Sequence, residues 1–278
     1  MSPLQTDHDR PVLSRAQRRQ EAREARLALE QARAEWDLRR RRLRWLAGVL
    51  AVVLSAVIAI LIATGQGGAQ RKIAPQSAEA RAVTATVSTL LAGIPQHGGV
   101  LGRPTAPVTL QYFGDLECPV CRGFTMQALP SLIQHWVRPG KLKIEYRSLE
   151  TATRDPEVFA DQQVAALAAG RQNRMWNFLE TFYAEQGEEG SGYATEAFIA
   201  GIARQVPGLA LAPWSAARED AALARTLASD AQAGASDRLA GTPAFLIGHS
   251  GSSARIFEPS SFTEAQPFDR AVEASLAS

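Results

Sequence analysis

The sequence predicts an α/β domain that carries an inserted all-helical block and is preceded by a single transmembrane helix. Three observations lead to this fold class: an uncharged apolar run of 19 residues near the N-terminus, strand-like segments on both sides of a long helical stretch, and a Cys-x-x-Cys motif directly after the first strand. Elements in the order strand–helix–strand, helices, then strand–strand–helix are typical of an α/β domain with an insertion. The 278 residues suffice for one such domain and accessory segments.

The apolar run occupies residues 45–63 and contains no charged residue. At about 1.5 Å per residue, a helix of this length crosses a hydrocarbon core of about 30 Å. Five arginines stand at its N-terminal flank: Arg39, Arg40, Arg41, Arg42 and Arg44. Because positive charge collects on the cytoplasmic side of a membrane helix, we expect the N-terminus inside the cell and the rest of the chain outside.

These features predict a single-pass protein of the cell membrane with an extracytoplasmic C-terminal domain. The expected boundaries are a basic cytoplasmic helical segment at 1–44, a transmembrane helix at 45–64, a linker at 65–98 and the folded domain at 99–278. A cleaved signal peptide is the alternative interpretation. Its positive region would be far longer than usual, and no clean A-x-A site follows the apolar run.

The charge distribution argues against a nucleic-acid partner. Residues 1–44 hold 12 Arg against 7 Asp and Glu, whereas the remaining residues hold 18 Lys and Arg against 21 Asp and Glu. A nucleic-acid binder would carry a basic surface on its folded domain, and here the basic residues precede the apolar run. The basic segment is suited to lie near anionic lipid headgroups, and a docking site for a cytoplasmic partner is the second interpretation.

The first part of the domain is expected to alternate strand and helix. A short helix over residues 77–92, ended by Gly93, precedes it. Residues 107–113 are β-branched and aromatic, which predicts a buried strand, and residues 141–147 predict a second strand. Between them, a helix is expected from Pro119 to about residue 136.

The second part is expected to begin with the helical insertion, at about residues 155–233. Asp155-Pro156-Glu157 is a helix start, with a capping carboxylate, a proline at the first position and an acid in the first turn. Gly241-Thr242-Pro243 then introduces a strand at 244–247. A further strand is expected at 254–257, and a helix at 262–276 closes the chain.

The chain has two cysteines, and both lie in the motif Cys118-Pro119-Val120-Cys121. A tetrahedral zinc site needs four ligands, and the four histidines are scattered, so no metal site is expected. A structural disulfide would close a very short loop, which gains little from cross-linking. At the N-terminus of a helix, free amide groups and the helix dipole stabilise a thiolate at Cys118. We therefore expect a redox-active pair that exchanges disulfides through a mixed disulfide.

Two segments together resemble the DsbA family of thioredoxin-fold proteins. The first is the strand and motif around 106–121, with Gly114-Asp115-Leu116-Glu117 directly before the cysteines, and the second is Gly241-Thr242-Pro243-Ala244-Phe245. The helical block also matches the inserted domain of that family. The resemblance covers roughly residues 99–278 and implies a thioredoxin-like fold with a helical insertion.

The resemblance also implies roles for individual residues. Cys118 would be the exposed nucleophile and Cys121 the buried resolving thiol. Pro243 would be a cis-proline beside the disulfide, and Thr242 would offer backbone hydrogen bonds to an extended substrate. The implied activity is thiol–disulfide exchange with cysteine-containing secreted or membrane proteins, without a metal or cofactor. A membrane quinone-linked thiol oxidase would re-oxidise the pair.

The sequence leaves the direction of disulfide exchange open. The dipeptide Pro119-Val120 stands where strongly oxidising members of the family typically carry Pro-His. An oxidant is favoured, with a reductase or isomerase of the same fold and a non-catalytic binding module as alternatives. Asp115 and Glu117 are candidates for proton transfer to Cys121, although solvated loop acids are the preferred interpretation.

Overall fold

The computed structural model describes residues 77–277. The predicted cytoplasmic segment, the predicted transmembrane helix and the first part of the predicted linker lie outside the described residues. Within 77–277, none of the helices combines the length and apolar character that crossing a bilayer requires. The later part of the segment predicted as a linker contains a helix, Ala78–Leu91, which Ser77 caps by accepting a hydrogen bond from the Ala80 amide at 3.0 Å.

The centre of the domain is a six-stranded sheet. The strands are β1 Gln96–His97, β2 Val100–Leu101, β3 Val108–Gly114, β4 Leu142–Ser148, β5 Ala244–His249 and β6 Arg255–Phe257. Their order in the sheet is β1-β2-β4-β3-β5-β6; β3 and β4 pair in parallel, and the other neighbours are antiparallel. The strands predicted at 107–113, 141–147, 244–247 and 254–257 are confirmed within two residues.

Eight helical elements surround the sheet in the part of the chain that the structure describes. They are α1 Ala78–Leu91, α2 at residues 119–137, α3 Pro156–Gly170, α4 Met175–Ala184, α5 Glu196–Gln205, α6 Leu211–Ala217, α7 Ala221–Ser236 and α8 Gln266–Ala277. The predicted helical insertion corresponds to α3–α7. Its predicted start is confirmed, because the Asp155 carboxylate accepts hydrogen bonds from the amides of Glu157 and Val158.

The central strand β3 carries the aromatic core. Tyr112, Phe113 and Phe124 are all at most 1% exposed. The Phe124 ring, from α2, packs edge-on against Phe245 of β5 with ring centroids 4.8 Å apart, and against Tyr112 at 5.0 Å. Helix α2 is thereby fixed against the sheet immediately after the cysteine motif.

Helix α2 is not regular along its length. The α-helical segments Pro119–Gly123 and Leu129–Leu132 alternate with wider π-helical turns at Phe124–Ala128 and Ile133–Val137. Pro130 lies inside this helix and has no amide hydrogen to donate, so the regular hydrogen-bond pattern is interrupted around it. The widened turn before it lets the helix continue instead of ending.

The insertion packs around aromatic residues and is tied to the sheet by an ion pair. Trp176, Phe178 and Phe182 of α4 are buried. Asp230 of α7 accepts a hydrogen bond from Arg147 Nε at 2.8 Å and from the amide of Ser148 at 2.9 Å. Because both are in β4, the ion pair fixes α7 beside the end of that strand.

A buried carboxyl in α4 makes the stability of the insertion depend on pH. Glu180 is 1% exposed, and burial raises its pKa from 4.5 to about 8. Between these values the unfolded chain loses the proton and the folded chain keeps it, so the free energy of unfolding falls as pH rises. We expect Glu180→Gln to remove this dependence and to stabilise the protein at pH 7 by roughly 3 kcal/mol.

Urea unfolding of both proteins at pH 5, 6, 7 and 8, with Cys118 and Cys121 joined as a disulfide so that neither thiol titrates, measures this effect. Glu273→Gln serves as the control, because Glu273 is an exposed glutamate on α8. A wild-type stability that stays level from pH 5 to pH 8, or a gain in Glu273→Gln equal to that in Glu180→Gln, would contradict the prediction.

Candidate active site

The cysteine motif follows strand β3 and lies at the edge of the sheet where β3 and β4 both end. Gly114 is its last residue, and a side-chain carbon there would lie 2.8 Å from Tyr146 Cε2 and 3.1 Å from the Tyr112 hydroxyl. Glycine is therefore required by the two tyrosine rings that pass beside it. After a short loop, Cys118 caps the N-terminus of α2 in an extended conformation, with φ −70° and ψ 119°.

The Cys118 sulfur is surrounded by hydrogen-bonding groups. It accepts a hydrogen bond from the Cys121 amide at 3.3 Å, and its thiol donates to the Thr242 carbonyl at 3.2 Å. Its pKa is lowered to about 6, chiefly by the hydrogen bond from the Cys121 thiol. The Thr242 side chain and the amides of Cys121 and Val120 lower it further, against the opposing effect of burial. A low pKa of this kind suits Cys118 to act as the nucleophile of the pair.

Cys121 has the opposite environment. It lies one helical turn behind Cys118 and is 0% exposed. Burial raises its pKa well above the ordinary value, and the hydrogen bond to Cys118 and the charge of that residue raise it further. The two thiols are free in this structure. One is poised to ionise and the other to keep its proton. Cys118 is nevertheless buried, at 4% exposed, so the expectation of an exposed nucleophile is wrong for this residue.

The loop before β5 faces the cysteines. The peptide bond between Thr242 and Pro243 is cis, which is the isomer that the resemblance implies. Thr242 contacts Cys118 through its carbonyl oxygen, and its hydroxyl bonds that of Thr151 from the loop after β4. Pro119 and Val120 are exposed beside this loop, and Val120 is 43% exposed. The face that would meet a partner is therefore apolar.

An open groove of about 500 Å³ continues from the cis-proline loop along the edge of the sheet. Its lining includes Thr242, Pro243, Phe245, Phe257 and Phe262. Strand β6 borders it, and Ile256 of this strand is 49% exposed. An extended chain lying here would have its backbone close to Thr242 and its side chains against apolar surface.

Asp115 is fully buried, so the expectation of a solvated loop acid is wrong for it. Its carboxylate accepts from the amides of Glu117, Thr151, Ala152 and Thr153, at 2.8–3.0 Å, and from the Thr153 hydroxyl at 2.6 Å. Asp115 thus joins the loop before Cys118 to the loop after β4. Buried charge is tolerated where donors surround it in this way.

Glu117 is also buried, at 4% exposed, and the expectation of a solvated acid is wrong here too. Its carboxylate accepts a hydrogen bond from Gln162 Nε2 of α3 at 2.8 Å. Burial raises its pKa, with hydrogen bonds from Gln162 and the Gly190 backbone acting against the shift. A carboxyl with a raised pKa directly before Cys118 is suited to take part in proton exchange.

Side chains from the insertion and from β4 hold the backbone around the motif, and the sequence did not predict them. Gln186 Nε2 donates to the carbonyls of Leu116 at 2.7 Å and Cys118 at 3.1 Å. The Tyr183 hydroxyl donates to the Asp115 carbonyl at 3.2 Å, and Tyr146 of β4 donates to the Gly114 carbonyl at 3.1 Å. These residues lie far from the cysteines in sequence and form no motif with them, so no sequence signal marks them.

The lowered pKa of Cys118 leads to a testable pH dependence. We expect alkylation of the reduced protein by iodoacetamide to rise with pH through a midpoint near 6, because the thiolate is the reacting form. Cys121→Ala should move the midpoint upward, since it removes the hydrogen bond that lowers the pKa most. Thiolate absorbance at 240 nm gives an independent titration, and a wild-type midpoint near 9 would contradict the prediction.

Fold and site together define a thioredoxin-fold protein with a Cys-x-x-Cys centre at a helix N-terminus, opposite a cis-proline loop. Residues 96–264, more than half of the chain, match the sequence profile of a family described as thioredoxin, and the chain belongs to that family. A Bacillus anthracis protein named "Probable disulfide bond formation protein D" is 27% identical over 105 residues, which are 38% of this chain and 48% of that protein. The chain thus spans about half the length of the curated relatives that it matches.

Solved structures support the fold. A crystal structure of oxidised BdbD from Bacillus subtilis is similar with a TM-score of 0.55 and 18% identity, covering 68% of this chain and 98% of that one. A crystal structure of alpha-DsbA1 from Wolbachia pipientis gives a TM-score of 0.53 and 15% identity, covering 67% of this chain and 92% of that one. The fold is therefore thioredoxin-like, of the DsbA kind, with a helical insertion.

Proposed function

We propose that this protein is an extracytoplasmic thiol:disulfide oxidoreductase that exchanges disulfides with cysteine-containing secreted or membrane proteins. The observation that carries the proposal is the contrast within the pair. Cys118 has its pKa lowered to about 6 beside the Thr242 carbonyl, whereas Cys121 behind it is fully buried with a raised pKa. A structural disulfide does not require its two thiols to differ in pKa.

The exchange reaction follows from this contrast. When the pair is oxidised, a substrate thiolate attacks Cys118 Sγ, the Cys118–Cys121 bond breaks, and its electron pair goes to Cys121 Sγ. A second substrate thiolate then attacks the substrate sulfur of the mixed disulfide and releases Cys118 as a thiolate. The substrate gains a disulfide and loses two electrons, which the cysteine pair receives.

The same contrast favours an oxidant. A stabilised thiolate at Cys118 lowers the free energy of the reduced form, so the disulfide is more readily given to a substrate. The groove beside Thr242 would hold the substrate as an extended chain, and Glu117 would exchange protons during the reaction. Asp115 is already occupied by its hydrogen bonds, and we assign it to holding the loops.

We also propose where the protein acts, outside the cytoplasm, and which kind of partner re-oxidises its cysteine pair. Protein disulfides persist in oxidising compartments, and the apolar run with its arginine flank favours an anchored domain outside the cytoplasm. After each reaction the reduced pair needs an electron acceptor, and a membrane quinone-linked thiol oxidase would supply the disulfide. Sequence similarity to a disulfide bond formation protein supports this direction.

Oxidative refolding tests the activity. Full-length protein in detergent is oxidised, freed of oxidant and mixed with reduced, unfolded ribonuclease, and disulfide formation is followed by the recovery of ribonuclease activity. We expect one disulfide transferred per protein molecule within minutes. The control is the same protein reduced and alkylated with iodoacetamide. Transfer no faster than with this control would refute the proposed activity.

Equilibration with glutathione redox buffers tests the direction. A reduction potential above about −200 mV would support an oxidant, and one near about −270 mV would indicate a reductase instead. A pair that resists reduction below about −300 mV would be structural, which would overturn the proposal as a whole.

A further inference from the structure

Three loops meet around the Cys118 thiol, and hydrogen bonds join each loop to the next. They are the loop before the cysteines at 115–117, the loop after β4 at 149–154 and the cis-proline loop at 237–243. The Asp115 carboxylate accepts from the amide of Glu117 in the first loop and from that of Thr151 in the second, each at 3.0 Å. The Thr151 hydroxyl shares a hydrogen bond with the Thr242 hydroxyl of the third. The loop after β4 therefore bridges the other two.

The direct contact between Cys118 and the cis-proline loop depends on the chemical state of the sulfur. The Cys118 thiol donates its hydrogen to the Thr242 carbonyl at 3.2 Å. A thiol has one hydrogen, which is lost when Cys118 ionises or joins Cys121 in a disulfide. In the thiolate and disulfide states, which are the states that react, this hydrogen bond cannot form.

The hydroxyl pair of Thr151 and Thr242 does not depend on the sulfur. Both hydroxyls keep their hydrogens in either redox state, so their hydrogen bond remains available when the thiol hydrogen is gone. Thr151 is exposed, and water competes for its hydroxyl. The buried Asp115 carboxylate nevertheless fixes the Thr151 backbone, and the branched threonine side chain loses little rotational freedom when it bonds Thr242.

We propose that Thr151 is a positioning residue that keeps the cis-proline loop beside Cys118 in the disulfide and thiolate states, ready to bind the backbone of a protein substrate. The inference rests on the proposed function, since it concerns the same site. Once the Cys118 hydrogen is gone, the Thr242 carbonyl is free to accept a hydrogen bond from a substrate amide. Thr151 acts through Thr242, and no bond to sulfur forms or breaks at Thr151.

Thr151→Val tests the proposal, because it removes the hydroxyl and keeps the branched shape. Oxidised full-length protein in detergent is mixed with reduced ribonuclease at increasing concentration, and the rate of a single disulfide transfer is measured. We expect the ribonuclease concentration that gives half the maximal rate to rise about three- to fivefold, the size of one ordinary hydrogen bond. The maximal rate should stay within about twofold of wild type, because the cysteines are unchanged. Thr151→Ser restores a hydroxyl and should behave like wild type.

Nuclear magnetic resonance of methyl-labelled threonines tests the position of the loop without any substrate. The order parameter of the Thr242 methyl group should fall in the oxidised Thr151→Val protein. In the reduced protein at pH 5, below the Cys118 pKa of about 6, the thiol still bonds the Thr242 carbonyl, so the fall should be smaller. A general loss of packing would not depend on the redox state in this way.

Thr109→Val is the matched control. Thr109 and Ser250 also share a hydrogen bond between hydroxyls, at 2.8 Å, and Thr109 lies at the opposite end of β3 from the cysteines. A rise in the half-maximal concentration for Thr151→Val, without one in Thr109→Val or Thr151→Ser, supports the proposal when the Thr242 methyl group loosens more in the oxidised state.

Four results would overturn the proposal. They are a wild-type half-maximal concentration in Thr151→Val, an equal rise in Thr109→Val, an equal rise in Thr151→Ser, and an order parameter that is unchanged or falls equally in both redox states. If Thr151→Val does not fold, Thr151→Ala takes its place. Failure of the wild-type protein to transfer a disulfide would instead refute the proposed function.

Discussion

Cys118→Ser is expected to abolish disulfide transfer to reduced ribonuclease. A serine hydroxyl neither ionises near neutral pH nor forms a bond to sulfur, so no mixed disulfide can begin. The lost activity cannot be supplied by Cys121, which is 0% exposed and has a pKa raised well above its usual range. The measurement is the refolding assay, with transfer falling to the level of the alkylated control.

Cys121→Ser is the partner experiment and should give a different result. The variant keeps the nucleophile but has no thiol to resolve the mixed disulfide, so a covalent complex through Cys118 should accumulate. Incubation with a protein that contains a disulfide, followed by non-reducing gel electrophoresis, should reveal a band that dithiothreitol removes. The same band from Cys118→Ser, or disulfide transfer at the wild-type rate by either variant, would contradict the assigned roles.

Asp115→Ala is expected to have the largest effect on stability, about 3–5 kcal/mol of lost unfolding free energy. Its carboxylate accepts five hydrogen bonds from four residues, and the substitution leaves these donors buried without their acceptor. Asp115→Asn keeps the size and one acceptor oxygen, so its loss should be smaller, roughly 2 kcal/mol. Urea unfolding of the reduced proteins measures both.

Asp155→Ala provides the control for Asp115. Asp155 accepts from two backbone amides as well, but at an exposed helix cap, where water replaces the lost acceptor. A loss of about 1 kcal/mol is expected there. If Asp115→Ala lowers the free energy of unfolding no more than Asp155→Ala does, the Asp115 carboxylate does not anchor the two loops. Asp115 would then again be a candidate for proton transfer.

The sequence by itself determined the elements that depend on neighbouring residues. The β-branched and aromatic run predicted β3, the Asp155-Pro156-Glu157 start predicted α3, and the helical composition predicted the insertion. Local sequence order also places Cys118 at the N-terminus of α2, because a strand and a short loop precede that helix and a proline begins it. These features need only local backbone preference and hydrophobic pattern.

Only the tertiary structure decided the environment of the motif. Asp115 and Glu117 stand in a polar stretch of sequence and are nevertheless buried, because loops and helices from residues 149–190 close over them. Tyr183 reaches the Asp115 carbonyl from 68 positions away. Such contacts arise from how the insertion docks on the sheet, and no local pattern encodes that arrangement. The cysteine pair can be identified from the sequence alone, whereas its pKa values and the buried hydroxyl groups near it depend on the tertiary structure.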